Sequence, residues 1–347
     1  MMEHYSYFMF CLVVLSLLQG NFTNGDVYYI APSLTQNTLC LQQSCPTFSQ
    51  LLATRTDSNS HVHQDVNTTL VFLPGKHHLD RKFTIEHVYN FSMIPWQSQD
   101  PQNSDTVAVI IECASQSVRF EISQTTFVSI KGLHFIGCGG NTVTQVVQFV
   151  VEDTIFEGVK GSGTALALND TVGASIVRSI FLSNTLGSLK ERGVRSLAIL
   201  RSLLTDLDLN RTAERVGGAV SISFSTVLID EVTFKQNRAD VGAAVFVEIE
   251  SYVLIKNSQF VNNEANISGS ALSNVLFVDQ GSTVQISSCT FDHNVFVYGA
   301  ISILHSSMNI SNCLFTNNIA YGDTGAIFVY ALHECVNFIM VHAHSTI

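Results

Sequence analysis

Charge is what this sequence has least of. Lysine, arginine, aspartate and glutamate make up 13% of its 347 residues, about half the roughly 25% of an ordinary globular domain. The basic side is the poorer one, 17 Lys+Arg against 28 Asp+Glu, for a net charge of −11. A nucleic-acid binder needs a basic face to neutralise phosphates, so nucleic acid is excluded as a partner. Proline is scarce, at five residues, and glycine does not recur at every third position, which excludes collagen-like structure. No C-x-x-C occurs, so zinc-ribbon and thioredoxin-like sites have nothing to build on. No apolar run reaches the roughly 20 residues of a membrane span. Apolar residues are abundant instead, at 46%, and a chain with that much surface to bury is not disordered.

The longest apolar run, Phe8 to Leu18, suits the core of a secretory signal. Residues 1–25 are therefore expected to be a signal peptide, and the protein to be secreted or displayed at the cell surface. Seven of the eight cysteines follow it. An odd number in a secreted chain implies a free thiol, an outside partner or a truncated sequence. Cys40 and Cys45 close a small loop and are the expected pair. N-x-S/T sequons at Asn67, Asn90, Asn169, Asn210, Asn266 and Asn309, with another at Asn21, are expected glycosylation sites.

Internal repetition is the strongest signal. A short alternating apolar strand is followed by Phe, then by Asn three residues later, and a small-small-aliphatic strand closes the unit. The copies include LIDEVTFKQN with GAAVFV, LIKNSQFVNN with GSALSN, and VQISSCTFDHN with YGAISI. The anchoring rings are Phe135, Phe156, Phe181, Phe234, Phe260, Phe291 and Phe315, at spacings of 21, 25, 53, 26, 31 and 24. A period near 25 marks a solenoid. The segments are rich in Val, Ile, Thr and Phe with two-residue alternation, so they are strands. Helical repeats lack their periodicity here and leucine-rich repeats lack their frame. What remains is an all-β parallel β-helix of about seven coils, with like residues stacked about 4.8 Å apart over roughly 34 Å.

Each column then has a chemical role. The Phe column builds an internal aromatic spine. Asn184, Asn237, Asn263, Asn294 and Asn318 fall where the chain turns, where Asn tolerates left-handed backbone and stacked amides hydrogen-bond along the axis. Ala165, Ala219, Ala244, Ala271, Ala300 and Ala326 mark where walls converge. Two residues before Phe, Cys289 and Cys313 become neighbours one coil apart, either as a disulfide or as two buried thiols acting as small hydrophobes. Asp230 stacks on Lys256 and Asp153 on Arg178.

Residues 26–112 do not fit the register and are expected to form an N-terminal cap and first irregular coils. Thr47 and Gln50 resemble a capping box there. Residues 113–347 are the β-helix repeats. They are interrupted at 185–216 by a basic excursion carrying Lys190, Arg192, Arg195, Arg201, Arg211 and Arg215. This excursion is a candidate binding segment. The chain stops at Ile347 without a cap, which reads as truncation. Membrane attachment is expected only from a region beyond that point.

GLHFIGCGG (Gly132–Gly140), the repeated F-x-x-N and G-[GA]-A-[VI] resemble secreted animal proteins with right-handed β-helix repeats of the pectin-lyase superfold. They also resemble the repeats of bacterial polymorphic outer-membrane proteins and adhesins. The resemblance implies a right-handed, pectin-lyase-like single-stranded solenoid. The superfold includes polysaccharide lyases and hydrolases, whose chemistry needs paired carboxylates. In the columns from four residues before Phe to three after it, no two adjacent coils both carry an acid. No catalytic, cofactor or metal residue is assigned. The histidine pairs His61/His63, His77/His78 and His342/His344 read as solvated turn residues. The expected function is a non-catalytic scaffold for adhesion or recognition of a glycan or protein. The alternative is a lyase or hydrolase with an unrecognised site.

Overall fold

The computed structural model describes residues 26–32, 46–47, 50, 61–62, 67–96, 108–115, 117–161, 163–186, 218–265, 274–322, 326–330 and 336–344. Strands stack into sheets of 19, 10 and six members. One coil shows the plan. Thr226–Asp230 and Thr233–Lys235 lie in the 19-stranded sheet, Arg238–Ala239 in the six-stranded one, and Val245–Glu248 closes the turn in the ten-stranded one. The next coil repeats it in parallel, Val227 beside Val253, Phe234 beside Phe260, Arg238 beside Glu264 and Val247 beside Val278. Alternate residues of each long strand point inward, as in Thr226–Asp230, where Val227 and Ile229 are buried and their neighbours are not.

The phenylalanines align. From Phe135 through Phe156, Phe181, Phe234, Phe260 and Phe291 to Phe315, successive ring centroids lie 4.4–5.3 Å apart with planes within 17° of parallel. Each ring is buried, worth about 1.5–3 kcal/mol relative to exposure. The corner asparagines align as well, and all but Asn318 are buried. Asn184 Nδ2 donates to Asn237 Oδ1, Asn237 to Asn263, Asn263 to Asn294 and Asn294 to Asn318, at 3.0–3.1 Å. A second donor bond from each amide reaches the carbonyl of a Phe in the preceding coil.

The left-handed backbone at this corner belongs to the residue before each Asn: Ser183, Gln236, Asn262, His293 and Asn317, with φ of 52–56°. That corrects the expectation that Asn itself takes this conformation. The amide is held inside by its bonds, and the residue before it makes the bend. Two earlier coils place Gly137 and Gly158 at the same point, with φ of 71° and 67°.

Several expectations change with the register. The Ala column runs Ala165, Ala219, Ala244, then Val275, then Ala300 and Ala326. Gly299 pairs with Asn274 and Ile301 with Leu276, which puts Val275 on the rung assigned to Ala271. Regular parallel pairing already begins at Asp26, within the segment read as a cap with irregular coils. Asp26–Ile30 pairs with Asn67–Phe72, which pairs with Asn90–Pro95, which pairs with Phe127–Lys131. The closing sheet therefore has ten strands, and nine steps of about 4.8 Å make a stack about 43 Å long. In these early coils the Phe column continues as Ile111 and then His77. His77 is buried, with Nε2 2.8 Å from the Leu73 carbonyl, and is not a solvated turn residue. His78 is exposed beside Glu112. Thr47 and Gln50 form the reciprocal capping-box bonds, Gln50 N to Thr47 Oγ1 at 3.2 Å and Thr47 N to Gln50 Oε1 at 2.9 Å.

Among the described residues a disulfide joins Cys113 to Cys138, with Cα atoms 5.0 Å apart across one coil. It closes the corner where later coils use asparagine. Cys289 and Cys313 are buried free thiols, each donating to the backbone carbonyl two residues back at 3.3 Å. They replace the hydroxyls of Thr154, Ser179 and Ser258, which make the same bond. Of the two readings open for this pair, the structure takes the thiols.

Candidate functional site

The closing sheet changes character along its length. Leu166–Asn169 and Val220–Ser223 bury alternate residues only. Val245–Glu248, Asn274–Val278 and Gly299–Leu304 are buried at every position. Their inward residues are aliphatic, as the core requires. One buried outward column is Phe246, Phe277 and Ser302, the two rings stacked 5.2 Å apart. The other is Glu248, Asp279 and Leu304, the residues that end these three strands or follow them.

Glu248 and Asp279 are 6% and 2% exposed. The ladder sets them one rung apart, because Val247 pairs with Val278 and Asp279 N donates to the Val247 carbonyl at 3.0 Å. Burial, then the neighbouring Asp279 charge, pushes the Glu248 carboxyl up to about 7. Burial raises Asp279 too, offset by the Gln280 N–H, which donates to its Oδ1 at 2.7 Å, and by His305, whose Nδ1 lies 3.5 Å away. Glu248 Oε2 has no hydrogen-bond partner, nor do Gln280 Nε2 and Ser302 Oγ. Two ionised carboxylates offer only acceptors. A proton on Glu248 relieves the repulsion between them and supplies a donor.

This pair lies outside the columns flanking Phe, in which no two adjacent coils both carry an acid. The signal lay in the closing strands, where VFVE and LFVD repeat an aliphatic run ending in an acid. A carboxyl held protonated near neutrality beside a second carboxyl is the arrangement of a general acid with its partner. Here both are sealed from solvent.

The outward face of the 19-stranded sheet is the opposite case. Lys131 and Arg178 both pair with Glu152, and Arg178 also pairs with Asp153. Lys256 pairs with Asp230 at 3.0 Å, and Gln285 Nε2 donates to the Tyr252 hydroxyl at 2.9 Å. The Asp153–Arg178 and Asp230–Lys256 contacts are the cross-rung pairs expected from the sequence. Such exposed pairs contribute little to stability. Among the described residues, no group of three His, Cys, Asp or Glu side chains is arranged to hold a metal ion.

Of the other sequence-selected residues, Asn169 and Asn309 are exposed, and Asn67 and Asn90 are half-buried on the outward face. Lys190, Arg192, Arg195, Arg201, Arg211 and Arg215 of the excursion lie outside the described residues. So do Cys40, Cys45, Asn210 and Asn266.

Residues 205–331 match the family described as a right handed beta helix region. The chain is 29% identical over 275 residues to metabotropic glutamate receptor-like protein R of Dictyostelium discoideum. That alignment covers 76% of this chain and 15% of the relative, so the chain spans a small part of that protein's length. Among solved structures it is similar to ORF18 of Geobacillus virus E2, at 12% identity and a TM-score of 0.35, covering 79% of this chain and 54% of that one. It is also similar to the catalytic domain of a GH87 alpha-1,3-glucanase in complex with tetrasaccharides, at 11% identity and a TM-score of 0.37, covering 92% and 70%. Superpositions this loose transfer no site. The parallel sheets, the stacked columns and the match over residues 205–331 agree: the chain folds as a right-handed parallel β-helix.

Proposed function

We propose that the chain is a secreted or cell-surface recognition scaffold, a stiff rod that binds a glycan or a protein without turning it over. The observation that carries this reading is the contrast in exposure between its two polar faces. The acids that the stack brings to adjacent rungs, Glu248 and Asp279, are closed to solvent. The exposed face carries charged side chains that pair with one another and polar side chains in contact, an array that offers polar contacts. A relative named as receptor-like supports recognition at a surface. The excursion with Arg192, Arg195 and Arg201 adds a basic segment to an otherwise acidic chain and is the proposed contact for an anionic group.

The test is a glycan array run beside reducing-sugar and unsaturated-product assays on the same polysaccharides. Binding without product supports the scaffold, and binding that weakens on charge reversal of Arg192, Arg195 and Arg201 assigns the excursion. A second reading, a glycoside hydrolase, is favoured by one observation. The raised Glu248 sits a single rung from Asp279, and a pair of neighbouring carboxyls is what glycoside hydrolysis requires. Product formation that Glu248→Gln abolishes would replace the scaffold reading with that one.

A further inference from the structure

Two of the sequons meet on neighbouring rungs. Asn67-Thr68-Thr69 and Asn90-Phe91-Ser92 open parallel strands in which Asn67 pairs with Asn90, Thr68 with Phe91 and Thr69 with Ser92. Thr68 and Phe91 are buried, so alternation turns both asparagines outward on the same face. Their amides are in contact: Asn90 Nδ2 donates to Asn67 Oδ1 at 2.7 Å. Nδ2 is the atom that an N-linked glycan occupies. The two acceptor nitrogens therefore share one step of about 4.8 Å on one outward sheet face. A pyranose ring carrying an N-acetyl arm is wider than that step.

Asn309 and Asn169 stand differently. The rung neighbours of Asn309 are Gln285 and Asn337, and those of Asn169 are Thr144 and Ser223. None of these four begins a sequon. Both acceptors are exposed, and a glycan on either meets no second glycan one rung away.

We propose that Asn67 and Asn90 form one N-glycosylation site with two alternative acceptors, so that each folded molecule carries a single glycan on the pair. The two sequons are 23 residues apart in sequence, far enough to be modified separately on an extended chain. Exclusion therefore requires the strands to be in register before the second transfer, when a glycan on one asparagine blocks access to the other. The inference rests on the extracellular reading given above. It also deepens that reading, because a glycan at this point covers the outward face over the first coils.

The experiment is a mass comparison of the full chain secreted from eukaryotic cells, using wild type, Asn67→Gln, Asn90→Gln and the double variant. Wild type and both single variants are expected to carry equal glycan numbers, with the double variant lighter by one. Asn169→Gln and Asn309→Gln are each expected to lose one glycan independently. A wild type one glycan heavier than each single variant would show double occupancy and overturn the proposal. Four equal masses would show an unmodified pair and overturn it too. Asn169 and Asn309 separate the two levels: glycans there with either adverse result refute only the exclusion, whereas no glycan at any sequon also removes support for the extracellular reading.

Discussion

At one corner of the helix, Asn184, Asn237, Asn263, Asn294 and Asn318 pass amide hydrogens from rung to rung, each acceptor filled by the donor of the coil before. On the closing sheet, Glu248 and Asp279 occupy neighbouring rungs at the same spacing, and Glu248 Oε2 is left without a partner. Both columns are deeply buried and both are products of register. They differ in the chemistry of one functional group. An amide carries a donor and an acceptor, so a stack of amides satisfies itself. A carboxylate carries acceptors only, so a stack of carboxylates must retain a proton or destabilise the fold. Repetition in a β-helix therefore amplifies whatever donor–acceptor balance one residue type has.

The sharpest way to test that contrast is to exchange the groups. Asn263→Asp puts an acceptor-only group into the self-satisfied column. It removes the bonds to the Phe234 carbonyl and to Asn294 Oδ1 and sets a charge in the core. A loss of about 4–5 kcal/mol at neutral pH is expected in urea unfolding. Phe260→Ala removes a ring stacked on both sides and is expected to cost about 4 kcal/mol. A loss below about 1 kcal/mol in either variant would mean that the columns are not continuous.

Removing the Cys113–Cys138 crosslink by a double Ser substitution opens a loop of sequence separation 25 and is expected to cost about 3 kcal/mol. Glu248→Gln should act in the opposite direction, because the amide supplies the missing donor without a charge. A gain of up to about 3 kcal/mol is expected above pH 7 and almost none below pH 4.5. Lys256→Ala, on the exposed face, should change stability by less than about 1 kcal/mol.

The sign of the pH effect follows from the direction of each shift. The folded state raises Glu248 from 4.5 to about 7, so it holds a proton that the unfolded chain releases. Stability from this group is full below 4.5 and falls as pH rises towards 7. His77 acts oppositely. Burial lowers it from 6.5, so the folded state keeps it neutral, and its contribution is lost as pH falls below 6.5. The two slopes overlap, and only the difference between wild type and a Glu248 variant isolates the acid.

The spine was legible because one residue type recurs at one place. Phe181, Phe234, Phe260, Phe291 and Phe315, with their asparagines, announce both the period and the register. The coils before Cys113 read as irregular because His77 and Ile111 hold the Phe position and no asparagine marks the corner. The same break in pattern concealed the crosslink, whose partners lie one coil apart. The left-handed corner was misplaced by one residue because Ser, Gln, Asn and His all occupy it, with no shared side chain to read. Glu248 and Asp279 were missed for a different reason. Their column lies on the closing sheet, where the intervals between copies vary and only the pairing of Val247 with Val278 fixes the alignment.

The most direct measurement is the unfolding free energy of wild type and Glu248→Gln in urea between pH 4.5 and 7.5. The curves are expected to meet at the acid end and diverge as pH rises, with the variant the more stable by about 2–3 kcal/mol near neutrality. Parallel curves, or a variant less stable than wild type throughout, would contradict it, since both would mean that Glu248 is ionised and satisfied where it stands.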